Sequence, residues 1–401
     1  MEPRTLHQLT PVDPRVVEAA LPFWTQHFGN PSSDHPYGAR PRAAVAVARE
    51  PVARLIGARS DDVVLTGTGS EADLLALRGY VLAGPPGAGT HVVVQATEHP
   101  AVLATAAVLT RRYGCRTTVL PVDDEGLVDP DRLAAALDGD AADRRLVSIM
   151  LANNGTGAIQ PVGELARIAH ALGAVVHWDA AQACGKIPVD VDDLDVDLLT
   201  VVGHKMYAPR GAAALYLRRT VGELEPVAYG GSQERGLRAG TENVAMAVAL
   251  GAAAVIAVED LAEGGPRRVA ALRDDLHHRL DTALPGRVRL NGPRDRRLPN
   301  TLNVGIAGGV GHRVLAAAPA IAASTGSACH AGEHSPSPVL TAMGQPAEQA
   351  LGAIRLSLGR STTPADVETA ADALVAAVRE VETAILPAAP GGRTTACVDF
   401  S

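Results

Sequence analysis

Only two lysines occur in the 401-residue chain, Lys186 and Lys205; the other 34 of its 36 Lys/Arg residues are arginine. Chemistry that needs a primary amine therefore has two candidates. Lys205 follows Gly203-His204 at the end of an apolar run, DLLTVVG (Asp197 to Gly203), and Asp179 closes another, AVVHWD (Ala174 to Asp179). Asn153-Asn154, Glu98-His99 and Gly67-Thr68-Gly69-Ser70 each follow a further run. An amine can attach a carbonyl ligand, a carboxylate can hold a proton on a ring nitrogen, and a Gly-rich turn opening a helix offers N–H groups to an anion. Singly, each has a simpler reading: Asp179 as a helix cap, the GTGS turn as an ordinary turn, His99 as a structural side chain. Their joint position at neighbouring strand ends favours one site, because open α/β sheets bind ligands there.

The elements that must position these residues are legible as alternating runs. DVVLTG (62–67), HVVVQA (91–96), RTTVLPV (116–122), LVSIML (146–151), AVVHWD (174–179), DLLTVVG (197–203) and AAALYLR (212–218) read as seven strands separated by helical stretches. That pattern predicts an α/β fold with a mostly parallel seven-stranded sheet and helices on both faces. Helices are expected from Pro14 to about His27, over Ala39 to Ile56, from near Ser70 with Ser70 as cap and Asp73 three residues on, and from Pro100. After Gly264-Gly265-Pro266 an Arg-rich helix runs to about Leu284. Strands follow around VRLNG and TLNVGI, and a final helix runs from Pro364 to about Leu386. This second part reads as a smaller α+β C-terminal domain. The expected division is a large domain over 15–260, a small one from 1–14 and 261–386, and a mobile tail over 387–401.

Composition excludes several classes. Hydrophobic residues make up 47%, which suits a globular chain, and a net charge of −8 with no Lys/Arg run argues against nucleic-acid binding. The four cysteines (115, 184, 329 and 397) form no CxxC pair, so neither a disulfide framework nor a metal site is expected. A cytoplasmic location follows from that cysteine usage and from an N-terminus without the apolar core of a signal peptide. The longest apolar run, Ala245 to Val258, is too short to span a bilayer and reads as a buried helix.

Pyridoxal phosphate makes the demands that this set meets. Lys205 would attach it, Asp179 would keep its ring nitrogen protonated, the GTGSE turn would cradle its phosphate and His99 would stack on its ring. The ordered motifs FGNPSS (28–33), TEHPAV (97–102), LANNGTG (151–157), HWDAAQACGKIPVDV (177–191), GHKMYAPRG (203–211), ERGLRAGTENV (234–244), RLPNTLN (297–303), GSACHAGEHSPSPVL (326–340) and RLSLGRSTT (355–363) then carry a resemblance over nearly the whole chain. The chain resembles the cysteine desulfurases and selenocysteine lyases of the class V aminotransferase group, with PLP fold type I. The resemblance implies Lys205 as the Schiff-base lysine, Asp179 as the ring-nitrogen partner and His99 as the stacking and catalytic imidazole. It implies Asn154 and Gln182 near the ring oxygen and substrate, and Gly69, Ser70 and His204 at the phosphate. Thr241 would reach the phosphate of the other subunit of a homodimer. Arg355 would grip the carboxylate of a small amino-acid substrate as a bidentate pair. Cys329 would accept the sulfur and pass it to an acceptor protein, because a thiolate is the nucleophile such a transfer needs. Its loop is rich in small residues, and His330 and His334 either tune the thiol or are plain surface residues. Lys186 is left without a role and reads as structural.

Three departures stand out. Leu6-His7-Gln8-Leu9-Thr10-Pro11 lacks the Asp and Asn of the family's D-x-N-A-T-T-P segment, Gly155 replaces an acid, and Leu74 replaces a polar residue. Cysteine and selenocysteine both stay open as substrates. A C–S lyase or epimerase of the same fold is the alternative activity, and a non-catalytic partner-binding scaffold is a second alternative.

Overall fold

Valine, leucine and isoleucine dominate the central sheet. In the computed structural model, which describes residues 4–5, 10–85, 87–326, 329–330 and 333–385, its strands are Val63–Thr66 (β1), Thr90–Gln95 (β2), Arg116–Leu120 (β3), Arg144–Met150 (β4), Ala174–Asp179 (β5), Leu198–Val202 (β6) and Ala213–Leu217 (β7). They lie in the order β1-β7-β6-β5-β4-β2-β3. β7 runs antiparallel to both neighbours, and the other pairs are parallel. Each of the seven expected runs is a strand.

Both faces of the sheet are covered. Val93, Val147, Val176 and Leu199 enter one hydrophobic core, while Val92, Val94, Leu146 and Leu198 enter another on the opposite face. This two-sided burial explains why these strands read as continuous apolar runs. Helix Val244–Ala262 is long and apolar enough to cross a membrane by composition alone. Here its apolar length goes into packing: Leu250, Ala253 and Ala254 are buried. Gly251 lets it approach helix Pro36–Leu55 so closely that a Cβ would lie 2.7 Å from the Ala48 carbonyl oxygen.

A separate core forms in the C-terminal part. Helices Gly265–Ala283 and Pro364–Ile385 pack leucines and valines against a three-stranded antiparallel sheet of Val288–Leu290 (β8), Thr301–Ile306 (β9) and Ala353–Ser357 (β10). β10 is an addition to the sequence reading, since Arg355 interrupts a run of only five residues; it pairs Arg355 with Asn303.

Two helix starts differ from expectation. The helix expected over 14–27 breaks into Pro14–Ala20 and Pro22–Thr25, because Pro22 has no N–H to continue the ladder. The helix after β1 is capped by Thr68, not Ser70. Thr68 Oγ1 accepts from the Glu71 N–H at 3.1 Å, and Glu71 Oε2 accepts from the Gly67 N–H at 2.9 Å. Thr68 has the extended backbone that a cap requires, whereas Ser70 already lies inside the helix.

Candidate active site

The parallel strands deliver their polar residues to one edge of the sheet. β4, β5 and β6 end at Met150, Asp179 and Val202, which line a cavity of about 300 Å³. The start of helix Gly69–Leu82 closes one side, with Thr68, Gly69, Ser70 and Asp73. His99, Asn154, Gln182, His204 and Lys205 complete the wall. Gly69 is required by this closeness, since a Cβ there would lie 2.5 Å from Val202 Cγ2. With Thr68 acting as the cap, the Ser70 hydroxyl is released from that duty, and first-turn N–H groups lack intrahelical acceptors.

Lys205 is set by the 3-10 turn Gly203–Lys205 that follows β6. The turn is braced from two sides. Thr10 Oγ1 donates to the His204 carbonyl at 3.1 Å and accepts from the Tyr207 N–H at 3.0 Å. Tyr207 holds a left-handed φ of 71°, its carbonyl accepts from the Asp13 N–H at 3.0 Å, and its hydroxyl accepts from the Arg360 N–H at 2.6 Å. The Arg360 guanidinium lies 3.9 Å from the Tyr207 ring centre. A strained residue two positions after the lysine is thus held by segments from both ends of the chain.

Asp179 forms the buried floor, with one oxygen accepting from the Ala181 N–H at 2.9 Å. Burial raises its pKa, a shift that the Ala181 N–H, His99 and Lys205 oppose. His99 caps helix Pro100–Tyr113 by accepting from the Ala101 N–H through Nδ1 at 3.1 Å. The proton of its neutral ring therefore sits on Nε2. Burial lowers its pKa, so the ring stays neutral. Beneath the floor, His177 bridges Ser148 (2.9 Å) and Thr200 (3.0 Å) across β4, β5 and β6. Burial holds it uncharged, with a pKa of about 3.

The basic groups converge on the same place. Arg355 is buried on β10, and one N–H reaches the Asn154 carbonyl at 3.3 Å. Its Nε is buried without a hydrogen-bond partner among the described residues, which leaves donor capacity for a carboxylate. Burial first, and then the Arg355 charge, lower the Lys205 pKa to about 8. At pH 7.5 about a quarter of Lys205 is then free amine, against about a thousandth for an ordinary lysine. Capture of a small aldehyde by Lys205 is expected to rise with pH and level off just above 8. A rate that keeps rising towards pH 10, measured against Lys205→Ala as background, would contradict a depressed pKa.

Of the residues singled out from sequence, Gly69, Ser70, His99, Asn154, Asp179, Gln182, His204 and Lys205 meet in the cavity; Arg355 does not line it but reaches the carbonyl of Asn154, which does. Thr241 is exposed and lies outside it. The backbone of Cys329–His330 pairs antiparallel with Glu333–His334; the side chains of this hairpin, the tail from 386 and Cys397 lie outside the described residues. The sequence points to Thr68 and Asp73 without the roles they take here, a helix cap and part of the cavity wall; the bracing by Tyr207 and the contact of Lys186 with Gln182 are additions. The i,i+3 spacing of Thr68 and Glu71 was the one available signal.

Comparison with known proteins places the chain in a wider set. The family model Aminotransferase class-V matches residues 9–369. A protein named cysteine desulfurase IscS from Dictyoglomus turgidum is 41% identical over 376 residues, which cover 93% of each chain. A solved NifS-like protein superposes with a TM-score of 0.85 at 32% identity, covering 96% of this chain and 100% of the other. SspA, solved in complex with cysteine, gives a TM-score of 0.77 at 30% identity, covering 90% of this chain and 100% of its own.

Proposed function

Because the chain belongs to the class-V aminotransferase family, we propose that it is a pyridoxal-phosphate enzyme that takes sulfur from L-cysteine. It releases L-alanine and leaves a persulfide on Cys329. The observation that carries this reading is the single cavity at the strand ends, which gathers an amine with a lowered pKa, a buried carboxylate and a neutral imidazole.

The residues fit the cofactor. Lys205 would hold its carbonyl carbon, Asp179 its ring nitrogen and His99 its ring face. Ser70, His204 and the Gly69 turn would hold its phosphate, and Asn154 and Gln182 its ring oxygen. When bound, pyridoxal phosphate supplies an electron sink for the pair released at the substrate α-carbon. Asp179, desolvated on the cavity floor, holds a proton opposite itself. Lys205 Nζ takes the α-proton as a free amine. Arg355 binds the substrate carboxylate, for which its unpartnered Nε is suited. Cys329, as a thiolate, attacks the substrate sulfur; an S–S bond forms as the C–S bond breaks, the β-carbon takes a proton, and return of the α-proton from Lys205 completes alanine. The position of Cys329 in the sequence supports its role as acceptor. Ser324 pairs with Arg355 through the Arg355 N–H at 2.6 Å, and five residues of chain extend at most about 17 Å.

Homodimerisation belongs to the same reading. Trp24, Phe28 and Tyr37 are 51, 72 and 69% exposed, and a partner would cover them and receive Thr241. The division into 15–260 and 1–14 with 261–386 is supported by the separate hydrophobic cores. Buried free thiols at Cys115 and Cys184 suit a cytoplasmic location, and an acceptor protein would take the persulfide.

The test is alanine release from L-cysteine and from L-selenocysteine by the holoenzyme. Release from cysteine is the expected result, with cysteine persulfide formed on the protein. Release from selenocysteine alone would move the reading to a selenocysteine lyase. Release from neither, with cofactor bound, would favour a C–S lyase or epimerase acting on another amino acid.

A further inference from the structure

We propose that Lys186 is a positioning residue that sets which way the Gln182 amide faces, so that Gln182 offers the cavity a hydrogen-bond donor and selects an acceptor oxygen there. This deepens the reading above and rests on it.

Lys186 Nζ donates to the Gln182 backbone carbonyl at 3.0 Å and to Gln182 Oε1 at 3.2 Å. The two residues are four apart in a tight turn that includes Gly185 at a left-handed φ of 72°. A lysine ammonium has donors and no acceptor. The amide atom that faces it must therefore be the oxygen, because the reverse orientation would set N–H groups against N–H groups. Burial brings the Lys186 pKa down to about 7; the neutral amine has two N–H bonds, one for each of these oxygens, but also a lone pair, so the strict exclusion of the reverse orientation belongs to the ammonium form. Gln182 lines the cavity, and Lys186 does not; it stands behind, on the wall of a second small cavity beside Leu358, Gly359 and Arg360. With its oxygen tied back, Gln182 has only Nε2 to present forwards. The cavity group that meets it must accept a hydrogen bond, and an oxygen that can ionise will do so more readily in its charged form. Lys186, which the reaction itself does not use, would thus tune the ionisation of the bound cofactor through Gln182.

The experiment is a spectrophotometric pH titration of the visible band of the holoenzyme. Lys186→Met and Gln182→Leu are each expected to raise the midpoint by about one to two pH units, the size of one lost hydrogen bond to a charged acceptor. Because Lys186 acts through Gln182, adding Lys186→Met to Gln182→Leu should produce no further shift. Lys186→Arg, which keeps its donors, should titrate near wild type. A Lys186→Met shift of full size in the Gln182→Leu background would show a direct charge effect and overturn the proposal. If Lys186→Met does not fold, a Lys186→Arg midpoint displaced as far as that of Gln182→Leu would overturn it as well. A wild-type protein with no visible band would instead remove the cofactor reading, and this inference with it.

Discussion

Lys205→Ala is expected to abolish the visible band of lysine-bound cofactor and to lower alanine release from L-cysteine by at least about 10³-fold. The size follows from the absence of a substitute. Lys186 is the other lysine of the chain, and its Nζ is tied to both oxygens of Gln182, outside the cavity wall. No second lysine amine is therefore placed to attach a carbonyl ligand or to move the α-proton. Absorbance spectra and steady-state rates on the purified variant check this directly. Folding should survive, since Lys205 follows the strand and its turn is braced through Thr10, His204 and Tyr207 without its side chain. A retained band would reassign the attachment to Lys186.

Cys329→Ser is expected to keep the visible band while alanine release from L-cysteine falls by about 10²- to 10³-fold. Sulfur transfer needs a thiolate, and a serine hydroxyl is neither ionised near neutrality nor a comparable nucleophile for sulfur. The other thiols offer no replacement among the described residues. Cys115 and Cys184 are buried, and burial raises the Cys115 pKa and pushes Cys184 up to about 12. Labelling of the persulfide after one turnover locates the sulfur. Unchanged turnover of cysteine by the variant would remove Cys329 from the reaction. Loss confined to cysteine, with selenocysteine still consumed, would show that the thiol is needed for sulfur alone.

Much of the architecture was legible because two-sided burial writes itself plainly. Strands such as Val63–Thr66 and Leu198–Val202 have to be apolar on both faces, so they stand out between helical stretches. The site was legible for a related reason. Polar residues such as Asp179 and Lys205 can follow those runs only where the chain leaves the sheet, and parallel strands leave it at one edge. β10 escaped notice because its central residue is an arginine that other parts of the molecule bury and pair. Thr68 and Ser70 are both hydroxyl residues beside a glycine with an acid three residues on, and the backbone angles at position 68 decide between them.

From its sequence alone, then, this protein's reactive inventory was determined: one lysine and one carboxylate each at a strand end, a glycine-rich turn after another strand, and a cysteine in a small-residue segment. Only the tertiary structure decided which of these groups meet and in what state. Arg355 touches Asn154 across 201 positions of sequence, and Tyr207 is clasped by Arg360 across 153. Burial sets the protonation of these groups, and it arises from neighbours that packing brings from distant parts of the chain.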